Sequence, residues 1–162
     1  MGRRSLRLGG HVKPARRLTL IAAGAVLAGC AQTANAPSTL TVDRARVGAT
    51  PAGADAAAYF DIRAGGDDRL TGAVTDAAAR ASLHEMRDAD GGGIMTQVDA
   101  VDLPAGIEVR FEPFGDHVML EDLERDLRPG DNVTITLSFA DHASIDVEAT
   151  VVALVDLAEE NR

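Results

Sequence analysis

"NVTITLSF", residues 132–139, decides the fold class. Val133, Ile135, Leu137 and Phe139 alternate with Asn132, Thr134, Thr136 and Ser138. That is the period of two expected when a strand turns one face to a core and the other to water. The turn "ADHA" follows, and then "SIDVEATVV" (144–152) repeats the alternation. Working outward, the same pattern predicts strands at 40–47, 57–64, 69–74, 79–86, 93–98, 107–111 and 116–120. The turn signals "GATPAGAD", "GGDD", "DADGGG", "LPAG" and "RPGD" separate them. Nine short strands with turns at such intervals predict an all-β sandwich or barrel. "TDAAARA" (75–81) could form one helical turn and no more. "LVDLAEENR" is expected to end the last strand and fray into an acidic tail, 156–162.

The first thirty residues read differently. "MGRRSLRLGGHVKPARR" carries six basic residues and no acid, and "LTLIAAGAVLAG" follows as an apolar stretch too short to span a bilayer stably. It ends at Leu27-Ala28-Gly29-Cys30, which resembles the bacterial lipobox. The resemblance implies cleavage before Cys30 and lipid on its sulfur. The expected organisation is a signal peptide (1–29), a lipidated cysteine and tether (30–39), a β-domain (40–155) and the acidic tail. The full chain has 16 basic residues against 25 acids. Removal of the signal takes six basic residues, leaving 10 against 25, a net charge of −15. So acidic a surface argues against nucleic acid and anionic lipid as partners. The acyl chains would supply the attachment, placing the domain outside the cytoplasm, at the outer face of the cytoplasmic membrane or in the periplasm.

Cys30 is the only cysteine, so the domain itself has neither thiol nor disulfide. Outside the cytoplasm a thiolate is open to oxidation, and a soft-metal site there has reason to use methionine and histidine. The domain holds three of each: Met86, Met95, Met119, His84, His117 and His142. His84-Glu85-Met86 repeats the spacing of His117-Val118-Met119, and Met95 lies on the strand that a glycine-rich hairpin pairs with the first. Each would be ordinary core filler or a solvated loop residue on its own, as His142 is expected to be. Together they form a set of neutral imidazoles and thioethers, which suits Cu(I) and suits zinc poorly. Exchange of the metal predicts a site near the surface, at an open end of the barrel.

The spacing is His84, ten residues, Met95, twenty-one residues, His117, one residue, Met119. It resembles the H-x10-M-x21-H-x-M motif of the PCuAC family of periplasmic copper chaperones. "AAYFDIRAGGDDRLTGA", "ASLHEM" and "LPAGIEVRFEPFGDHVMLEDLERDLRPGDNVTITLSF" look like the family's flanking segments, so the likeness runs over about residues 40–152. It implies a cupredoxin-like Greek-key β-barrel that binds one Cu(I) per chain through His84, Met95, His117 and Met119, with Met86 as an auxiliary sulfur. It also implies a monomer that delivers copper to the binuclear site of cytochrome c oxidase subunit II, alongside a Sco-type protein. Many relatives approach the second histidine as Pro-Gly-Gly-x-His, whereas this chain has Pro113-Phe114-Gly115-Asp116-His117. Phe114 is expected to shield the metal and Asp116 to add charge beside it.

The function expected is binding and transfer, not catalysis. Blue-copper electron transfer needs a cysteine ligand that the domain lacks. A hydrolase would need a nucleophile elbow or HExxH, and neither is present. A copper-sequestering lipoprotein with the same ligands, and a structural lipoprotein without metal, are the alternatives.

Overall fold

The computed structural model describes residues 39–89 and 92–160. The segments expected to form the signal, the lipidated cysteine and most of the tether lie outside that range. Ten strands form one continuous sheet: β1 (Leu40–Gly48), β2 (Ala56–Ala64), β3 (Asp68–Thr75), β4 (Ala78–Ala89), β5 (Gly92–Val98), β6 (Val101–Leu103), β7 (Glu108–Phe111), β8 (His117–Leu123), β9 (Asn132–Phe139) and β10 (Ile145–Val152). The order is β5-β4-β8-β2-β1-β10-β9-β3-β6, and β7 pairs with β2 beyond the stretch that β8 occupies. Between these strands all pairings are antiparallel except one. β1 runs parallel to β10, with Arg46 opposite Thr150 and Val47 opposite Val151. This pairing joins the two halves of the sheet, as a Greek-key barrel requires.

The alternation predicted from sequence sets which face each strand buries. On β9 Val133, Ile135 and Leu137 are fully buried, and on β2 Ala58, Phe60 and Ile62 are buried to 1 % exposure or less. Phe60 lies opposite Phe111 in the β2–β7 ladder, and their rings stack with centroids 4.6 Å apart. Leu120 and Leu123 both reach the core although they are three residues apart. A regular strand would send them to opposite faces. The left-handed φ of 55° at Asp122 turns the chain between them.

Three sequence expectations are corrected. "VDL" (101–103) is a strand too short to stand out in the pattern, so the count is ten rather than nine. The segment 75–81 forms no helical turn, because Ala78 already pairs with Leu123 at the start of β4. The C-terminal residues form a short helix, α1 (Leu154–Glu160), which buries Leu157, rather than an extended tail. No helix among the described residues is long and apolar enough to cross a membrane.

His142 also differs from its expected place as a solvated loop residue. Its Nδ1 lies 2.6 Å from Asp68 Oδ2, and the Asp68 side chain is wholly buried. Asp68 Oδ1 accepts the backbone N–H groups of Arg69 at 2.7 Å and Asp141 at 2.9 Å, clamping the β9–β10 turn to the start of β3. Burial alone would raise the Asp68 pKa, but these donors together with His142 outweigh it and hold the carboxyl below its ordinary value. A lowered folded pKa means that the ionised group stabilises the fold above the unfolded pKa of about 4. That stability is lost as pH falls from there through the folded value. Asp68→Asn keeps an acceptor but removes the charge, so its melting temperature should fall less steeply with acidification below about pH 5. Parallel slopes for the two proteins in thermal melts would show that the carboxylate carries no such linkage.

Candidate metal centre

Strand register decides which of the predicted ligands meet. In the β4–β8 ladder His84 lies directly opposite His117, and Ser82 opposite Met119. In the β4–β5 ladder Met86 lies opposite Met95, and His84 opposite Gln97. Met119 in turn faces Ala57 on β2. Residues opposite one another in a ladder share a face, so one face collects Met95, Met86, His84, His117 and Met119. The imidazoles stack at 5.4 Å between ring centroids, and the Tyr59 ring stands 6.4 Å from that of His117. Met119 is one ladder step from the histidine pair in one direction, and Met95 with Met86 one step in the other. Diagonal neighbours at that spacing are within reach of a methionine side chain. The adjacent residues Leu83 and Val118 point the opposite way, into the core. The site therefore sits on the face of the sheet turned away from Leu83 and Val118, at the end of the β4–β8 ladder where β8 begins.

The hydrogen bonds assign a tautomer to each ring. His117 Nδ1 lies 2.9 Å from the carbonyl oxygen of Gly115. A carbonyl only accepts, so Nδ1 carries the proton and Nε2 keeps its lone pair. His84 Nε2 lies 2.9 Å from Ser82 Oγ, whose hydroxyl donates to Glu121 Oε1 at 2.6 Å. With its single proton committed to a carboxylate, Ser82 accepts from His84, and Nε2 is the protonated nitrogen. His84 Nδ1 is left buried without a hydrogen-bond partner. A buried bare nitrogen is costly unless something electrophilic occupies it. Burial lowers the His84 pKa, the neighbouring His117 lowers it further, and Glu121 opposes both. The result favours the neutral imidazole, the form that ligates.

The remaining contacts show what surrounds the face. His117 is 5 % exposed, whereas Met95, on the edge strand β5, is 46 % exposed, so the face opens at that edge. Met86 Sδ would lie 2.9 Å from a Cβ added at Gly93, so the glycine leaves space for the sulfur. Asp116 does not simply add charge. Its carboxyl accepts the backbone N–H of Met86 where the β8 ladder ends, while burial and Glu85 raise its pKa. Phe114 is 80 % exposed and shields nothing. It occupies the third position of the turn closed by Gly115 N–H to Glu112 O at 2.9 Å, with φ 65°. Glycine adopts that conformation freely, and a phenylalanine there costs roughly 1–2 kcal/mol. The turn nevertheless keeps the shape that aims the Gly115 carbonyl at His117.

Sequence reasoning placed the histidines and methionines but missed Ser82, Glu121 and Arg80, which pairs with Glu121. The available signal was parity: each is an even number of residues from a candidate ligand on its own strand. Among the described residues no three His, Cys, Asp or Glu side chains converge as a metal site.

A ten-stranded barrel of this order, with paired histidines and methionines on one outward face, is a cupredoxin-like domain of the PCuAC type. Comparison with known proteins agrees. The copper-bound PCuAC domain of PmoF2 is 25 % identical with a TM-score of 0.60, over 73 % of this chain and 96 % of that one. The Cu(I) solution structure of DR1885 from Deinococcus radiodurans is 32 % identical with a TM-score of 0.60, over 77 % of this chain and 85 % of that one. A Leifsonia xyli subsp. xyli protein described as a lipoprotein, Lxx21020, is 31 % identical over 98 residues, 59 % of this chain and 59 % of its own length. The family model of LpqE-like lipoproteins matches residues 40–151. The chain belongs to the LpqE-like family.

Proposed function

We propose that this protein binds one Cu(I) through His84, Met95, His117 and Met119, with Met86 as an auxiliary sulfur, and passes it on. The observation that carries the reading is the buried, unpartnered Nδ1 of His84, in a ring stacked on that of His117, on the sheet face that also carries Met86, Met95 and Met119. Neutral nitrogen and thioether donors favour Cu(I) over zinc, and a copper-bound PCuAC domain and Cu(I)-DR1885 share the fold. Copper here is cargo. The His84 and His117 lone pairs hold it, while the exposed Met95 at the sheet edge gives an acceptor a place to begin ligand exchange. A thiolate-bearing acceptor outcompetes thioether and imidazole for Cu(I), which sets the direction of transfer. The acceptor we infer is the binuclear copper site of cytochrome c oxidase subunit II, reached alone or with a Sco-type protein. The lipobox at Cys30 and the lipoprotein family support a lipid-anchored, extracytoplasmic location.

Anaerobic titration of the domain against a chromophoric Cu(I) chelator should give near one equivalent bound, with no comparable retention of Zn(II). Failure to compete for Cu(I) would overturn the reading. Deletion of the gene should lower oxidase activity at low copper. Normal oxidase with new copper sensitivity would instead assign the protein to sequestration.

A further inference from the structure

We propose that Glu121 and Ser82 are positioning residues that select the tautomer of His84 and so determine that Nδ1 is the nitrogen offered to metal. The inference rests on the copper-binding reading above and adds to it two residues that do not touch the metal. Ser82 is 6 % exposed and lies between two partners, Glu121 Oε1 at 2.6 Å and His84 Nε2 at 2.9 Å. All three side chains share the outward face, because Ser82 and His84 are two apart on β4 and Glu121 is two beyond Met119 on β8. Arg80, opposite Glu121 in the ladder, pairs with the same carboxylate, so Glu121 accepts from Arg80 on one side and from Ser82 on the other.

The logic is one of hydrogen-bond arithmetic. A serine hydroxyl has one proton, and an ionised carboxylate can only accept. Glu121 therefore commits that proton, Ser82 must accept from the ring, and His84 Nε2 must carry its proton. The bare nitrogen is then Nδ1, the buried atom with no protein partner. His117 is fixed in the opposite sense by the Gly115 carbonyl, which protonates Nδ1 and frees Nε2. The two rings of one site thus present different nitrogens, each set by a different second partner. Such partners typically alter metal affinity by 10–100-fold.

Long-range ¹H–¹⁵N NMR of the metal-free protein reads the tautomer directly. Wild type should have His84 protonated on Nε2. Glu121→Met removes the acceptor, frees the Ser82 hydroxyl to donate to Nε2, and should invert His84 to the Nδ1–H form. Ser82→Ala should give a mixture, and Ser82→Thr, which keeps the hydroxyl, should restore the wild-type pattern. Cu(I) affinity by chelator competition should fall 10–100-fold in Glu121→Met and Ser82→Ala and recover in Ser82→Thr. An Nδ1–H tautomer in the wild type, or an unchanged tautomer in a folded Glu121→Met protein, would overturn the proposal. So would an inverted tautomer with unaltered Cu(I) affinity. A wild type that took no Cu(I) at all would overturn the function proposed above and the metal half of this inference, and the tautomer pattern distinguishes that case.

Discussion

His117→Ala should lower Cu(I) affinity by roughly 100-fold or more, since even partners outside the ligand set cost 10–100-fold. The expected effect is large because His117 contributes in three ways. Its Nε2 lone pair is free, its ring stacks on His84 at 5.4 Å, and its Nδ1 anchors the Gly115 turn. His84→Ala should cost a similar amount, and the double variant little beyond either, because the remaining thioethers alone do not make a competitive site. His142→Ala serves as the control. His142 belongs to the Asp68 clamp and not to this face, so affinity should not change. Chelator competition measures all four proteins, with far-UV circular dichroism to verify folding. A folded His117→Ala protein with wild-type affinity would remove His117 from the site.

The second large effect concerns the fold. Phe111→Ala should destabilise the domain by about 3–5 kcal/mol, the usual cost of emptying a buried phenylalanine site. For a domain of this size that corresponds to a melting temperature about 10–20 °C lower. Phe111 is fully buried, stacks on Phe60 across the β2–β7 ladder, and is one of few aromatic rings in a core otherwise built of aliphatic side chains. Ile107, 57 % exposed, gives the comparison, and its replacement by alanine should stay within about 0.5 kcal/mol. A melting temperature shift below about 3 °C for Phe111→Ala would mean that the pair is not a keystone of the core.

Much of this was legible because strands write their faces into the sequence. The alternation in β2, β9 and β10 fixed both the fold class and the buried residues, and the ligand spacing singled out the histidines and methionines. What stayed hidden has physical reasons. The three residues of β6 alternate, with Val101 and Leu103 buried and Asp102 exposed, but so short a run does not stand out as a strand. The helix after Ala153 buries only Leu157, so its sequence looks like a solvated tail. The pairing of His142 with Asp68 joins residues 74 apart, and no local pattern reports such a contact. The face carrying the site was not legible for a related reason. Parity says that His117 and Val118 point to opposite sides, but only packing tells which side is the core. Phe114 looked like a shield because the residue type suggests burial, whereas the turn it occupies, set by Pro113 and the φ of 65°, directs it outward. The Glu121–Ser82–His84 chain needed the β4–β8 register, which one sequence does not contain.

The parallel pairing of β1 with β10 also governs when the molecule can exist. The first strand to leave the ribosome finds this neighbour in the last, about a hundred residues later, and until then β1 has one open edge. Closing so long a loop is slow and must precede the stability it confers. β4, β5 and β8 can assemble earlier, but the sheet that supports them stays unclosed. An incomplete chain therefore presents unpaired edges rather than a finished site, and metal loading belongs to the completed chain.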